Sequence, residues 1–313
     1  MTNKQEATEL FRTEDGPRKP IALEVEIGSA EWHDLRRTGI GASEIAAICD
    51  AHPYQTAVDV WNLKTGREAP FEGNAKTEAG LRLEPVILDY VADMYSDKAL
   101  RRSSDMFWNG EYCFATPDGF LTDGTDQGGL VTTEGLGEIY VVEAKLSTNR
   151  IDEPHHYHWL QLQYQLEVMG LTKGVLAYLI QGWDFRYFEF ELDRELGLMA
   201  IAEDWYKKHV VEGVEPEPTA IGDADKLWKE PTGKQIEATP AVVDHMILRQ
   251  DLKSQIKDLE SACKRLEEEI KREVGDADLV TLDGKKIFSY SYVPAREVSY
   301  TSKAYKKPNW TKI

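Results

Sequence analysis

The chain has 313 residues, 42% hydrophobic and 29% charged, which is the balance of a globular protein built as one large domain or as a domain with an appendage. No apolar run reaches the roughly 18 residues of a membrane-spanning helix, and the first residues are too polar for a signal peptide, so a cytoplasmic protein is expected. A net charge of −18 speaks against a nucleic-acid partner, but from Lys285 onward seven Lys or Arg face one acid, so the last 29 residues carry +6 and the rest −24. A protein that encloses DNA needs positive charge only along its channel, and an acidic exterior discourages non-specific contacts.

Residues 1–20 are polar and aperiodic, a mobile N-terminal segment. After a strand candidate at 21–27, Ser29 caps a short helix carrying Trp32, Leu35 and Arg36, which Gly39 and Gly41 end. Ser43 opens the next helix, 44–49. A serine behind glycines at a helix N-terminus reads either as a plain cap or, with Arg36 nearby, as an anion site. Thr56 caps a helix over 57–65, stopped by Gly66.

From Thr77 to Tyr95 apolar residues recur at helical spacing, and Pro85 marks a kink or a new first turn. Glu84 beside it is either a surface acid or a third acid reaching an active site. Strand candidates follow at 100–102, 112–115 and 137–145, the last two separated by a turn-rich loop containing Asp123-Gly124 and Gly128-Gly129.

A helix follows Pro154 and ends at Gly170. Its histidines, His155, His156 and His158, lack the matching Cys/His set of a zinc site. Its glutamines are costly in an apolar helix unless an active site supplies partners. Strands at 175–180 and 185–192 and a helix at 194–211 complete a mixed α/β (α+β) domain around a single sheet.

Prolines at 216, 218, 231 and 240 mark a linker over 213–240. Beyond it Leu252, Ile256, Leu259, Cys263, Leu266 and Ile270 form a short heptad seam, expected to pack as a hairpin or against a partner. Asp283-Gly284 signals a β-hairpin joining 279–282 to 287–292, ahead of a basic, aromatic tail. The expected organisation is therefore a segment 1–20, a core domain 21–212, a linker 213–240 and an extension 241–313.

Chemistry concentrates in residues 114–145. Along the last strand Ile139, Val141, Glu143 and Lys145 share one face, so an acid and a lysine end an otherwise apolar surface. Charges on a packed face are paired or bind an ion. Pro117-Asp118-Gly119 brings a second acid, and two converging carboxylates need a shared proton or a hard cation such as Mg²⁺.

Five motifs in register give these residues a family likeness: Trp32-His-x-Leu-Arg36 with Gly41-Ala-Ser43, Gly80-x-x-x-Glu84, Pro117-Asp118-Gly119, Glu143-x-Lys145 and Gln161-x-Gln163-Tyr164. The chain resembles the YqaJ-like viral recombinases, the phage alkaline exonucleases typified by the lambda exonuclease, within the PD-(D/E)XK nuclease superfamily. The resemblance implies a restriction-endonuclease-like core in which Asp118, Glu143 and the carbonyl of Ala144 hold Mg²⁺. Lys145 is implied to orient or deprotonate the attacking water or to stabilise developing charge. Glu84 is implied at a second metal or its water, Gln161 as a positioner of Lys145 or the nucleophile, and Arg36 with Ser43 as a 5′-phosphate pocket.

Two ions about 4 Å apart supply what phosphodiester hydrolysis needs, with Mn²⁺ a possible substitute. The family further suggests a homotrimeric ring in the bacterial host cytoplasm that digests the 5′ strand of duplex DNA and leaves 3′ single strand for an annealing protein. A structure-specific or restriction-type endonuclease and a non-catalytic DNA-binding recombination mediator remain as alternatives. Roughly 120 residues follow Leu192 beyond the reach of these motifs.

Overall fold

The computed structural model describes residues 20–23, 25–71, 73–123, 138–230, 232–289 and 294–295. The N-terminal segment, most of the turn-rich loop, the end of the last expected strand and the basic tail lie outside the described residues. The chain divides into two compact units, Met1–Leu227 and Trp228–Ile313.

The first unit is organised by two strands buried on both faces, β7 (Tyr140–Ser147) and β8 (Lys173–Ile180), which pair in parallel. A parallel pair needs a crossover, supplied here by the helix α5 (His156–Met169). Ile139, Val141, Leu176, Tyr178 and Ile180 pack against Leu162, Leu166 and Met169 of α5. Tyr140, Val142, Val175, Ala177 and Leu179 pack against Ile87, Leu88 and Val91 of α4 (Ala75–Met94) on the other face.

Strands β3 (Ala99–Arg102), β6 (Gly119–Thr122) and β9 (Asp184–Glu191) complete a sheet of order β3-β6-β7-β8-β9, so the mixed α/β expectation holds. The strand alternation read from the sequence is the alternation observed. Pro85 sits inside an unbroken α4. Its missing N–H would have bonded the carbonyl of Leu81, a residue exposed to water that can take over that bond.

A second, four-stranded sheet has the order β1-β4-β5-β2, formed by β1 (Ile21–Leu23), β4 (Met106–Asn109), β5 (Cys113–Ala115) and β2 (Ile40–Gly41). Strands β2, β4 and β6 lie outside the sequence expectation, and the single sheet expected for this unit is two. The chain passes from β5 to β6 through Thr116-Pro117-Asp118, so Asp118 sits where the small sheet hands over to the large one. The helix α1 (Ala30–Arg37) is capped by Ser29 as expected, its side chain accepting from Trp32 N–H at 3.1 Å. Gly39 follows because no side chain fits: a Cβ there would lie 2.6 Å from the Tyr112 carbonyl oxygen and 2.7 Å from the Trp108 ring.

After β2, the helix expected to begin at Ser43 is a single turn, α2 (Ile45–Ile48), with Glu44 rather than Ser43 at the cap position. The next helix, α3 (Ala57–Lys64), starts with the Thr56–Asp59 capping box. The helix expected from Arg194 begins later, as α6 (Leu198–Tyr206), behind Gly197 at φ 56°, and runs into a π turn at Lys207–Val211. The unit continues past the expected boundary at 212: in α7 (Asp223–Leu227), Asp223 is buried and Leu227 packs with Val58 and Trp61. Residues 213–227 are thus part of the compact unit.

The second unit contains a 35-residue helix, α8 (Pro240–Val274), and a hairpin of β10 (Leu279–Leu282) and β11 (Lys285–Ser289). Asp283 and Gly284 have φ of 48° and 75°, the two left-handed positions of the expected tight turn. The α8 heptad residues are exposed within this unit, Cys263 included.

Gly39→Ala is expected to cost about 1–3 kcal/mol by overpacking against the Tyr112 backbone. Gly80→Ala in α4, where a Cβ meets nothing within 4 Å, should instead stabilise by up to about 1 kcal/mol through helix propensity. Urea unfolding of the two variants measures both, and equal midpoints would contradict the close approach at Gly39.

Candidate active site

Strand β7 is buried through Glu143 and emerges at Ala144, so its last buried side chain is an acid. Glu143 is 3% exposed and is held on both oxygens. Oε1 accepts from Lys145 Nζ and Gln161 Nε2, each at 2.5 Å, and Oε2 accepts from Gln165 Nε2 at 2.6 Å. The two glutamines stand one helical turn apart on α5 and so present their amides to one carboxylate. Gln163 and Tyr164 face elsewhere and are structural: Gln163 Nε2 donates to the Glu191 carbonyl, and Tyr164 Oη donates to the Ile40 carbonyl.

Asp118 reaches the same place from the sheet junction, its Oδ2 accepting from the Ala144 N–H at 2.7 Å. In an extended strand the N–H and C=O of one residue point to the same edge, so the Ala144 carbonyl lies on the Asp118 side of β7. Glu84, on α4, completes a cleft of about 600 Å³ lined also by Asp118, Glu143, Lys145, Thr77 and Gly80. Every acid expected at the catalytic site is therefore in one cleft with Lys145.

The electrostatics are those of crowded acids around one cation. Burial, then the neighbouring Glu143 charge, holds Asp118 well above the ordinary carboxylate range. The same two causes raise Glu84. Burial alone would lower Lys145, but the charges of Glu143 and Asp118 outweigh it and raise the ammonium above its usual value. Among the described residues no three His, Cys, Asp or Glu side chains converge tightly enough to make a complete metal shell. The donors nonetheless suit Mg²⁺, since two carboxylates and a carbonyl are hard oxygens and this ion keeps several waters or phosphate oxygens in its shell.

The histidines of α5 serve packing here. His158 Nδ1 lies 2.9 Å from the Tyr178 hydroxyl, and burial, then the Lys145 charge, pushes its pKa down to about 2. That ring is neutral at any working pH.

A second cavity of about 390 Å³ is lined by Arg36, Ser43, Glu44, His52 and Lys64 among others. Arg36 stacks over the Trp32 ring at 4.7 Å. Ser43 is exposed and caps nothing, so the helix-terminus argument for an anion site lapses. What favours an anion is charge: Arg36 and Lys64 against the single carboxylate of Glu44. His52 Nδ1 accepts from the Tyr54 and Gln55 N–H groups, which leaves the ring proton on Nε2. Its ring packs against Tyr157 with centroids 5.0 Å apart, and Tyr157 lies within the field of Lys145.

Glu44, His52, Lys64, Tyr157 and Gln165 were not singled out in the sequence as site residues. Gln165 alone carried a usable signal, standing four residues after Gln161 on the same helix.

The sequence profile of the YqaJ-like viral recombinase domain matches residues 31–172, which contain every expected site residue. This segment is therefore similar to a YqaJ-like viral recombinase domain. A relative, the uncharacterized protein YqaJ of Bacillus subtilis strain 168, is 28% identical over 275 residues, covering 82% of this chain and 82% of its own length. Solved structures similar to the chain include an alkaline exonuclease from Laribacter hongkongensis, with a TM-score of 0.45 and 14% identity over 59% of this chain and 94% of that one. A phage-related exonuclease from Haemophilus somnus 129PT gives 0.41 and 13% over 58% and 99%. The matched span ends just past α5, so β8, β9 and the second unit lie outside it.

The raised acids have a stability consequence in the metal-free protein. A carboxyl whose folded pKa lies above its unfolded value binds its proton more tightly in the folded state, so stability falls as pH rises from about 4 through the raised value. Asp118→Asn removes that loss and is expected to raise the thermal midpoint at pH 7, with the difference from the parent vanishing below about pH 4. Equal midpoints at pH 7 would contradict the crowding of Asp118.

Proposed function

We propose that this chain is a Mg²⁺-dependent deoxyribonuclease that degrades linear duplex DNA from its 5′ ends and leaves 3′ single strands for an annealing protein. The observation that carries this reading is the convergence of Asp118, Glu143, Lys145 and Gln161 at the mouth of one strand, next to a cationic cavity. A nuclease that starts at a phosphorylated end can use both parts, one for hydrolysis and one for the terminal phosphate.

Asp118, Glu143 and the Ala144 carbonyl would hold the first ion, and Glu84 a second ion or its water. Bound there, Mg²⁺ or Mn²⁺ would polarise the phosphoryl oxygen and lower the pKa of a coordinated water. Lys145, raised in pKa, is a charged donor that orients the water or stabilises the negative charge developing on phosphorus. Gln161 and Gln165 hold the Glu143 carboxylate in a fixed plane, as partners of a metal ligand commonly do. The cationic cavity would take the 5′-phosphate on Arg36 and Ser43, and His52 and Tyr157 would line the path from it to Lys145.

The proposed setting is the bacterial cytoplasm, where three copies would form a ring around the duplex, with the acidic exterior turned away from DNA. No helix among the described residues is long and apolar enough to cross a membrane.

Lys145→Ala and Asp118→Asn are each expected to lower digestion of linear duplex by at least about 10²-fold while leaving binding of the duplex intact. Closed circular DNA should survive the parent enzyme. Undiminished digestion by both variants would remove the catalytic assignment, and cutting of closed circles would replace the exonuclease by an endonuclease.

A further inference from the structure

A cavity that attracts phosphate contains a buried carboxylate, and its contacts give that acid a task. Glu44 Oε1 accepts from Lys64 Nζ at 2.8 Å and lies 3.6 Å from the Arg36 guanidinium. Oε2 accepts from Lys64 Nζ at 2.6 Å and from the Gly41 N–H at 2.8 Å. Lys64 Nζ also donates to the Arg36 main-chain carbonyl at 2.6 Å, and its side chain is 2% exposed.

An ammonium has three protons to donate. With acceptors on both Glu44 oxygens and the Arg36 carbonyl, Lys64 has committed all three inside the protein. It offers no free donor to a ligand, although it lines the cavity. Arg36 is different: its guanidinium has five N–H donors, and Nη2 alone approaches Glu44, beyond hydrogen-bond length. The charges of Glu44 and Lys64 cancel, Arg37 at the cavity wall is paired with Asp34 at 3.3 Å, and Arg36 remains as a cation that can receive an anion.

We propose that Glu44 and Lys64 are positioning residues for end recognition. Lys64 ties down the Arg36 main chain, Glu44 faces the Arg36 head group and anchors the Gly41 amide, and together they set where Arg36 and the Gly41–Ser43 turn meet a terminal phosphate of a DNA strand. This rests on the end-phosphate reading above. The competing role is a purely structural tie between α1 and α3.

Removing one member of a buried pair strands the other charge, whereas removing both often leaves the fold stable. The informative variant is therefore the double substitution Glu44→Gln with Lys64→Met, compared with the parent on linear duplexes bearing 5′-phosphate or 5′-hydroxyl ends. Thermal unfolding is measured alongside. The double variant is expected to keep a midpoint near that of the parent, while the ratio of kcat/KM for phosphorylated over hydroxyl ends falls about tenfold, carried by KM rather than kcat. That is the scale of one hydrogen bond to a charged group.

A double variant that folds and keeps the parent's ratio would overturn the positioning role. Should it fail to fold, Glu44→Asp keeps both charges but retracts the carboxylate by one methylene. It is expected to lose part of the preference, and full retention would likewise overturn the proposal. A parent enzyme without preference for phosphorylated ends would overturn the end-phosphate reading itself, and the positioning role with it.

Discussion

Glu143 is a carboxylate at the last buried position of a strand covered on both faces, and much of the first unit is arranged to make that position tolerable. A buried acid without partners is too costly to persist. Here α5 supplies two amide donors and β7 supplies Lys145, so three hydrogen bonds close on two oxygens. The parallel pairing of β7 with β8 forces the chain through a crossover, and that crossover is α5. The same topological requirement that builds the core therefore delivers Gln161 and Gln165 to the acid.

The second constraint is the junction between the two sheets. The short segment from β5 to β6 fixes Asp118 against the Ala144 N–H, while β2, paired with β5, fixes the turn that follows Arg36. Asp118 of the acidic cleft and the turn that follows Arg36 are thus both placed by β5 and its partner.

Much of this was legible in the sequence where the controlling physics is local. The two-residue alternation along 139–145 assigned both faces of β7 correctly, the Thr56 and Ser29 caps and the Gly170 stop set helix ends, and Asp283-Gly284 announced its hairpin. What escaped depends on partners distant in the chain. Lys64 lay unremarked in the helix expected over 57–65, and its place in the structure appears only when Glu44, twenty residues earlier, closes on it. Ser43 fitted the rule for a helix cap, yet the following helix is a single turn, and Glu44 takes the cap position while its side chain turns back to Gly41 and Lys64. The run Met106–Asn109 is buried throughout and carries no alternation to mark it as a strand. The end of the first unit was also hidden, because prolines suggested a linker where Asp223 and Leu227 are buried in the fold.

The central claim is that the cleft hydrolyses DNA with a metal and that the cavity beside it selects the end at which digestion starts. A timed digestion of linear duplex labelled at the 5′ or the 3′ end, with and without Mg²⁺, tests reaction, polarity and metal together. Early release of the 5′ label in the presence of Mg²⁺, late release of the 3′ label, and no release of either without the ion are the expected results. Early release of the 3′ label, or digestion that proceeds without a divalent metal, would contradict the claim.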